Sequence, residues 1–182
     1  MDEPPAFEQV AAELIGPVTG YLRRMTGNAA DADDLLQEAL LRIARSLPDL
    51  EERAALKTWA YRIAHNVVID HLRRTRRATF TELDDQSEAP GRDADELLTV
   101  GEMNACVRRV IDALPPEYSS PLVLSQLEGK SVAEVAEICS LSISAAKVRI
   151  HRAKARLRDA LNRECTLTND IGGGVSCEPK RS

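Results

Sequence analysis

Lys147, Arg149, His151 and Arg152 crowd one short stretch, and Lys154, Arg156 and Arg158 continue it. Guanidinium and ammonium groups at that density bond phosphate oxygens and, in a major groove, the O6 and N7 atoms of guanine. A second set, Trp59, Arg62, Asn66, Asp70, Arg73 and Arg77, recurs at three- and four-residue steps and so shares one helix face. An aromatic ring, an amide and guanidinium groups together suit a single nucleic-acid strand: the ring stacks on a base, the amide reads an edge and the guanidinium holds phosphate. Each set also has a plainer reading. The first is then the solvated basic face of a helical hairpin, the second a half-buried Trp beside an ordinary polar face. A third pair, Cys165 and Cys177, flanks Gly172-Gly173-Gly174 in a segment without helical period. It reads either as a sensor, through a reversible disulfide or as two ligands of a metal site, or as incidental thiols of a disordered tail. A closed zinc site takes four ligands, so Cys139, His151 or a partner would have to complete it. Cys139 and Cys106 fall on apolar helix faces and read as packing.

The elements that hold these residues are helices. The chain has 182 residues, of which 43% are apolar and only 3% aromatic. That share of apolar residues excludes wholesale disorder, and the scarcity of aromatic and β-branched runs argues against a sandwich or barrel. Gly27-Asn28 marks a turn, and Asp31-Ala32-Asp33-Asp34 puts acids at a helix start, where they complement the dipole. Leu35, Leu36, Ala39, Leu40, Ile43 and Leu47 follow at helical spacing until Pro48 stops the run. A further helix is expected from Leu56 to Arg77, then an acidic linker over 81–96 carrying Glu82, Asp84, Asp85, Glu88, Asp93, Asp95 and Glu96. Met103, Val107, Val110, Ile111 and Leu114 form a stripe that ends at Pro115-Pro116. Pro121 follows, and would kink a helix unless it stands in the first turn.

Beyond it lies a helix-turn-helix pattern. Ser131 is placed as an N-cap with Glu134 as its capping-box partner, and Val132, Val135, Ala136 and Cys139 share one face. After a turn at Ser140-Leu141, Ser142 can cap a second helix whose buried stripe is Ala146, Ile150, Ala153, Leu157 and Leu161. That helix would enter a major groove with its first turns at the bases.

These motifs, in this order, resemble bacterial extracytoplasmic-function (ECF) RNA polymerase sigma factors over about residues 7–162. Asp31 to Arg42 looks like the region 2 helix that docks on the polymerase β′ clamp. Lys57 to Arg74 looks like the promoter-melting helix. Ala136 to Ala153 looks like the region 4 helix-turn-helix, although Ile143-Ser144-Ala145-Ala146 replaces the commoner, more polar sequence there. The resemblance implies an all-α fold of two small helical domains joined by a flexible acidic linker. Region 2 spans 1–80, the linker 81–101, region 4 102–162 and a Cys-containing tail 163–182. It implies that Asp34, Leu35, Gln37 and Glu38 contact the clamp. Trp59, Arg62, Asn66, Asp70, Arg73 and Arg74 would face the minus-ten element, with Asn66 near a flipped base. Ser142, Ser144, Lys147, Arg149, His151 and Arg152 would face the minus-thirty-five element. The expected partners are core polymerase (β′ clamp and β flap), promoter DNA and an anti-sigma factor. No catalytic residue, no resident metal and no cofactor is expected, apart from the metal or disulfide open at Cys165 and Cys177. The competing function is a stand-alone helix-turn-helix regulator that uses only 102–162. A third is a polymerase-binding protein that never opens DNA.

The net charge of −5, from 24 basic and 29 acidic residues, does not exclude a nucleic-acid binder, because placement matters more than the sum. Lys147, Arg149, Arg152, Lys154, Arg156, Arg158 and Arg163 face one acid, Asp159; the acids gather in 31–38 and in the linker. The chain opens Met1-Asp2-Glu3-Pro4-Pro5, acidic where a secretory signal is basic, and no apolar run approaches the roughly 20 residues that span a bilayer. A cytoplasmic protein without membrane insertion is expected.

Overall fold

The computed structural model describes residues 7–50, 55–82, 105–169 and 175–179. The linker acids from 83 to 96, Met103 and the glycine run therefore lie outside the described residues, as do the side chains of Arg77, Cys106, Leu161, Cys165 and Cys177. Three helices make the first bundle: α1 (Phe7–Thr26), α2 (Ala29–Ser46) and α3 (Leu56–Glu82). Gly27 ends α1 at φ 63°, donating its N–H to the Arg23 carbonyl, and Asn28 then caps α2 by accepting from the Asp31 N–H. Pro48 stops α2 in a single 3₁₀ turn over Leu47–Asp49. The apolar stripe of α2 turns inward as its spacing requires: Leu35, Ala39 and Ile43 are buried against Leu14, Val18 and Leu22 of α1 and Ala60, Ala64 and Val67 of α3. The third helix runs further than its apolar pattern predicts, through Glu82.

Among the described residues the second bundle is made of α4 (Ala105–Ala113), α5 (Pro116–Gln126), α6 (Val132–Ile138) and α7 (Ile143–Glu164). Pro121 stands well inside α5, where it leaves the Glu117 carbonyl without its usual donor. The capping box at the start of α6 is complete. Glu134 Oε2 accepts from the Ser131 N–H at 2.8 Å and Ser131 Oγ accepts from the Glu134 N–H at 3.3 Å. The same bond holds the Glu134 carboxyl below its ordinary range. Its C-terminus closes as a Schellman motif, with Leu141 N–H on the Ala136 carbonyl, Ser140 N–H on the Glu137 carbonyl, and Ser140 itself in the left-handed region at φ 53°. Ser142 caps α7 by accepting from the Ala145 N–H. This tight turn sets α6 against α7 in the helix-turn-helix arrangement, over Val135, Ile138, Ala146, Ile150 and Ala153.

Both domains are helical, as expected. The tail adds what the helical pattern did not foretell: β1 (Cys165–Asn169) pairs antiparallel with β2 (Val175–Pro179). Thr166, Thr168 and Val175 are β-branched and suit a pleated pair. The two bundles are not separate bodies: one apolar cluster runs from α1 to α7, and α1 and α3 pack directly on α5 and α6. Among the described residues no helix is long and apolar enough to cross a membrane.

Candidate nucleic-acid interface

Along α3 the polar set stands largely on the surface: Asn66, Asp70, Arg73 and Arg74 are exposed and Arg62 is half-buried, while Ala60, Ala64, Val67 and Val68 are buried and Ile63 and Leu72 half-buried. Trp59 is half-buried too, packed against the core and three residues before Arg62 on the same face. A rigid aromatic is thus fixed beside an exposed amide and guanidinium groups on one helix. That geometry suits a single strand, because the groups are positioned before any strand arrives.

On α7, Ser142, Ser144, Lys147, His151 and Arg152 are exposed at or near the N-terminal turns. Arg149 is not free in the same way. It is half-buried and lines a cleft between the bundles with His65, Ile69, Arg73, Glu117, Pro121 and Cys139. Among the described residues of this helix, Ile143 and Val148 are large apolar side chains left exposed.

On α2, Asp34 and Gln37 are exposed and Glu38 is ion-paired with Arg42 at 2.5 Å. Leu35 corrects its expected role: at 4% exposure it is core. It stands on the apolar side of α2, so it anchors the helix and leaves the surface to its polar neighbours.

The pattern reading missed the polar groups at the junction. The Tyr21 hydroxyl lies 2.9 Å from Ser120 Oγ and 3.1 Å from His65 Nδ1, and Ser120 Oγ lies 2.8 Å from the same His65 nitrogen. Cys139 Sγ is 3.9 Å from Ser120 Oγ. Burial pushes the Cys139 thiol up to about 11, so it stays protonated and packs, as its position in the apolar stripe predicts. Desolvation, then the Arg73 and Arg149 charges, lower His65 to about 4. The sign follows from linkage. Unfolding restores a pKa near 6.5, so the unfolded chain takes up the proton first and stability falls as pH drops from about 6.5 to 4. The shift corresponds to roughly 3 kcal/mol. Thermal melts at pH 7, 6, 5 and 4.5 should therefore show a steeper loss for the wild type than for H65N, which keeps a polar group near Ser120 but does not titrate. Parallel curves would remove His65 as the cause.

Two family models match this chain: Sigma-70 region 2 over residues 11–78 and Sigma-70, region 4 over residues 104–157. The fold and these matches define a sigma-70-type transcription protein in which a region 2 bundle precedes a region 4 helix-turn-helix. ECF RNA polymerase sigma factor SigM of Mycobacterium tuberculosis is 32% identical over 152 residues, 84% of this chain and 75% of that protein. ECF RNA polymerase sigma factor SigE of Mycolicibacterium smegmatis is 28% identical over 167 residues, and the match takes in 90% of this chain but 65% of SigE. Among solved structures, CnrH in complex with the cytosolic domain of CnrY is similar at a TM-score of 0.56 and 28% identity, over 86% of this chain and 88% of that one. The chain belongs to the ECF RNA polymerase sigma factors.

Proposed function

We propose that this chain directs core RNA polymerase to specific promoters and assists their melting. In this reading the exposed face of α2, with Asp34, Gln37 and Glu38, meets the β′ clamp. The α3 face holds the minus-ten element through Trp59, Arg62, Asn66, Asp70, Arg73 and Arg74. The start of α7 meets the minus-thirty-five element through Ser142, Ser144, Lys147, Arg149, His151 and Arg152. The acidic stretch 81–101 joins the domains, and the protein works in the cytoplasm, with all catalysis supplied by polymerase. The observation that carries the reading is the exposed Asn66–Asp70–Arg73 face on α3, beside a half-buried Trp59, in the same chain as a helix-turn-helix. A stand-alone regulator has no use for that face. An anti-sigma factor is a fitting partner, since the similarly folded sigma factor RpoE of Bartonella quintana was solved in complex with the anti-sigma factor NepR.

The tail cysteines, Cys165 and Cys177, are proposed to act as a sensor, through a reversible disulfide or as two ligands of a metal site. They stand on the paired strands of the tail, Cys165 in register with Pro179 and Cys177 with Leu167.

Purified chain, core polymerase and a promoter library test both. Runoff transcripts that need the chain support initiation, and binding of DNA without transcripts favours the regulator. In the same assay, C165S/C177S should lose a response to added zinc or oxidant; identical output in every condition ends the sensor idea.

A further inference from the structure

The start of α7 is short of hydrogen-bonding groups for reading bases. The Ser142 and Ser144 hydroxyls lie 3.0 Å apart, and Ser142 Oγ also accepts from the Ala145 N–H at 3.1 Å, so both are engaged at the helix cap. Residues 145 and 146 are Ala, and Ala146 is buried. Arg149 is half-buried in the cleft that His65 and Cys139 also line. Lys147, His151 and Arg152 are left as exposed polar groups, and Val148, 47% exposed, stands among them. A lone exposed apolar side chain is ordinary. What sets Val148 apart is its direction. Ala146, Ile150 and Ala153 fix the buried side of α7, and at the helical repeat Val148 stands almost opposite them. Ser144, His151 and Arg152 flank it on the same outer face. A helix seated in a major groove turns such an outermost line to the base edges, while cations on the flanks reach phosphates.

We propose that Val148 is a specificity-determining residue that reads the C5 methyl of a thymine in the minus-thirty-five element. The inference rests on the promoter-directing function proposed above and adds a base identity to it. Of the groups that bases present in the major groove, the thymine methyl is the apolar one. An isopropyl group packed on it takes both out of water. The same side chain against the amino group of cytosine or adenine covers a donor and gives it no partner, which costs affinity. Charge selects DNA as what covers this face. No acidic residue occurs between Ser142 and Arg158, a stretch that holds Lys147, Arg149, Arg152, Lys154 and Arg156. Such a field draws a polyanion. Lys147 and Arg152, exposed on either side of Val148 along the chain, then fix the register through phosphates, and Val148 supplies discrimination that phosphate contacts lack.

Promoters selected from a library by the chain with core polymerase should carry a thymine in the minus-thirty-five element. Each thymine there is then replaced singly by deoxyuridine, which removes the methyl and leaves base pairing intact. At one position the replacement should weaken promoter binding about fourfold for the wild type, the worth of one methyl group, and scarcely at all for V148A. V148I, which keeps an aliphatic tip, should retain the penalty. Val148 is exposed and alanine is the better helix former, so V148A should melt at the wild-type temperature. Selected elements without thymine, or a deoxyuridine penalty that is the same for wild type and V148A at every position, would overturn the proposal. An unchanged penalty in a V148A variant that no longer binds an anti-sigma factor would overturn it too, and would assign this face to a protein partner. If the chain with core polymerase selects no promoter, the proposed function fails. Duplexes selected by the full chain alone then carry the same deoxyuridine comparison, so Val148 is judged separately; a chain that selects no duplex in either setting has no thymine reader.

Discussion

R62A/N66A should cut runoff transcription from a duplex promoter on the order of 100-fold or more while leaving the fold intact. Asn66 is exposed and Arg62 half-buried on α3, and both stand away from the junction contacts of Tyr21, Tyr61 and His65. Alanine is at least as good a helix former as either residue, so the melting temperature should scarcely move. The loss falls on function. A base contact is worth about 1–3 kcal/mol, and extracting a base from the stack costs a few kcal/mol that those contacts must offset. Losing two contacts therefore removes on the order of 2–6 kcal/mol from the melted complex. A promoter opened beforehand by a mismatched bubble has already met the unstacking cost, so it should regain most of the lost activity with the variant. Equal loss on both templates would assign Arg62 and Asn66 to duplex docking. Full activity on the duplex would remove the α3 face from the mechanism.

The legible parts of this molecule are those set by short-range chemistry. The α2 stripe, the stop at Pro48, the capping box at Ser131 and the start of α7 at Ser142 each depend on residues three or four apart, and all stand where their spacing puts them. The α3 face was legible for the same reason. What failed to show depends on distance in sequence or on weak periodicity. Glu128 meets Arg24 across 104 residues and Tyr21 meets Ser120 across 99, and no pattern within α1 or α5 marks either side chain for a partner so remote. Leu35 was read two ways at once, as part of a packed stripe and as a contact surface; burial favours the stripe, and only its polar neighbours remain available. The tail hairpin was missed because its strands are short, and a period of two over five residues is a faint signal beside a run of glycines. The third helix extends past its apolar pattern because Arg, Ala and Glu are good helix formers, so the helix can continue without an apolar stripe.

The same contrast between pattern and packing yields a second large effect, at two adjacent residues of α6. The apolar spacing singles out Cys139 and passes over Ile138, yet Ile138 is 0% exposed while Cys139 is only partly buried at the C-cap. Ile138 is among the largest fully enclosed side chains in the chain, within the core cluster that also holds Val135, Ala146 and Ile150. I138A removes three carbons from a close-packed site, and such truncations cost about 2–5 kcal/mol because the surroundings collapse only in part. For a chain of this size, a central loss of about 3 kcal/mol lowers the melting temperature by roughly 6–12 °C. C139A removes one sulfur from a half-covered position and should cost about 1 kcal/mol. The functional consequence should differ as well. Since α6 is the platform that fixes the recognition helix, I138A should depress transcription most from promoters that depend on a minus-thirty-five element. Promoters driven mainly through the α3 face should suffer less. Paired melts and runoff assays on the two variants check this. A C139A variant as damaged as I138A would mean that the thiol, rather than the isoleucine, holds the helix-turn-helix together.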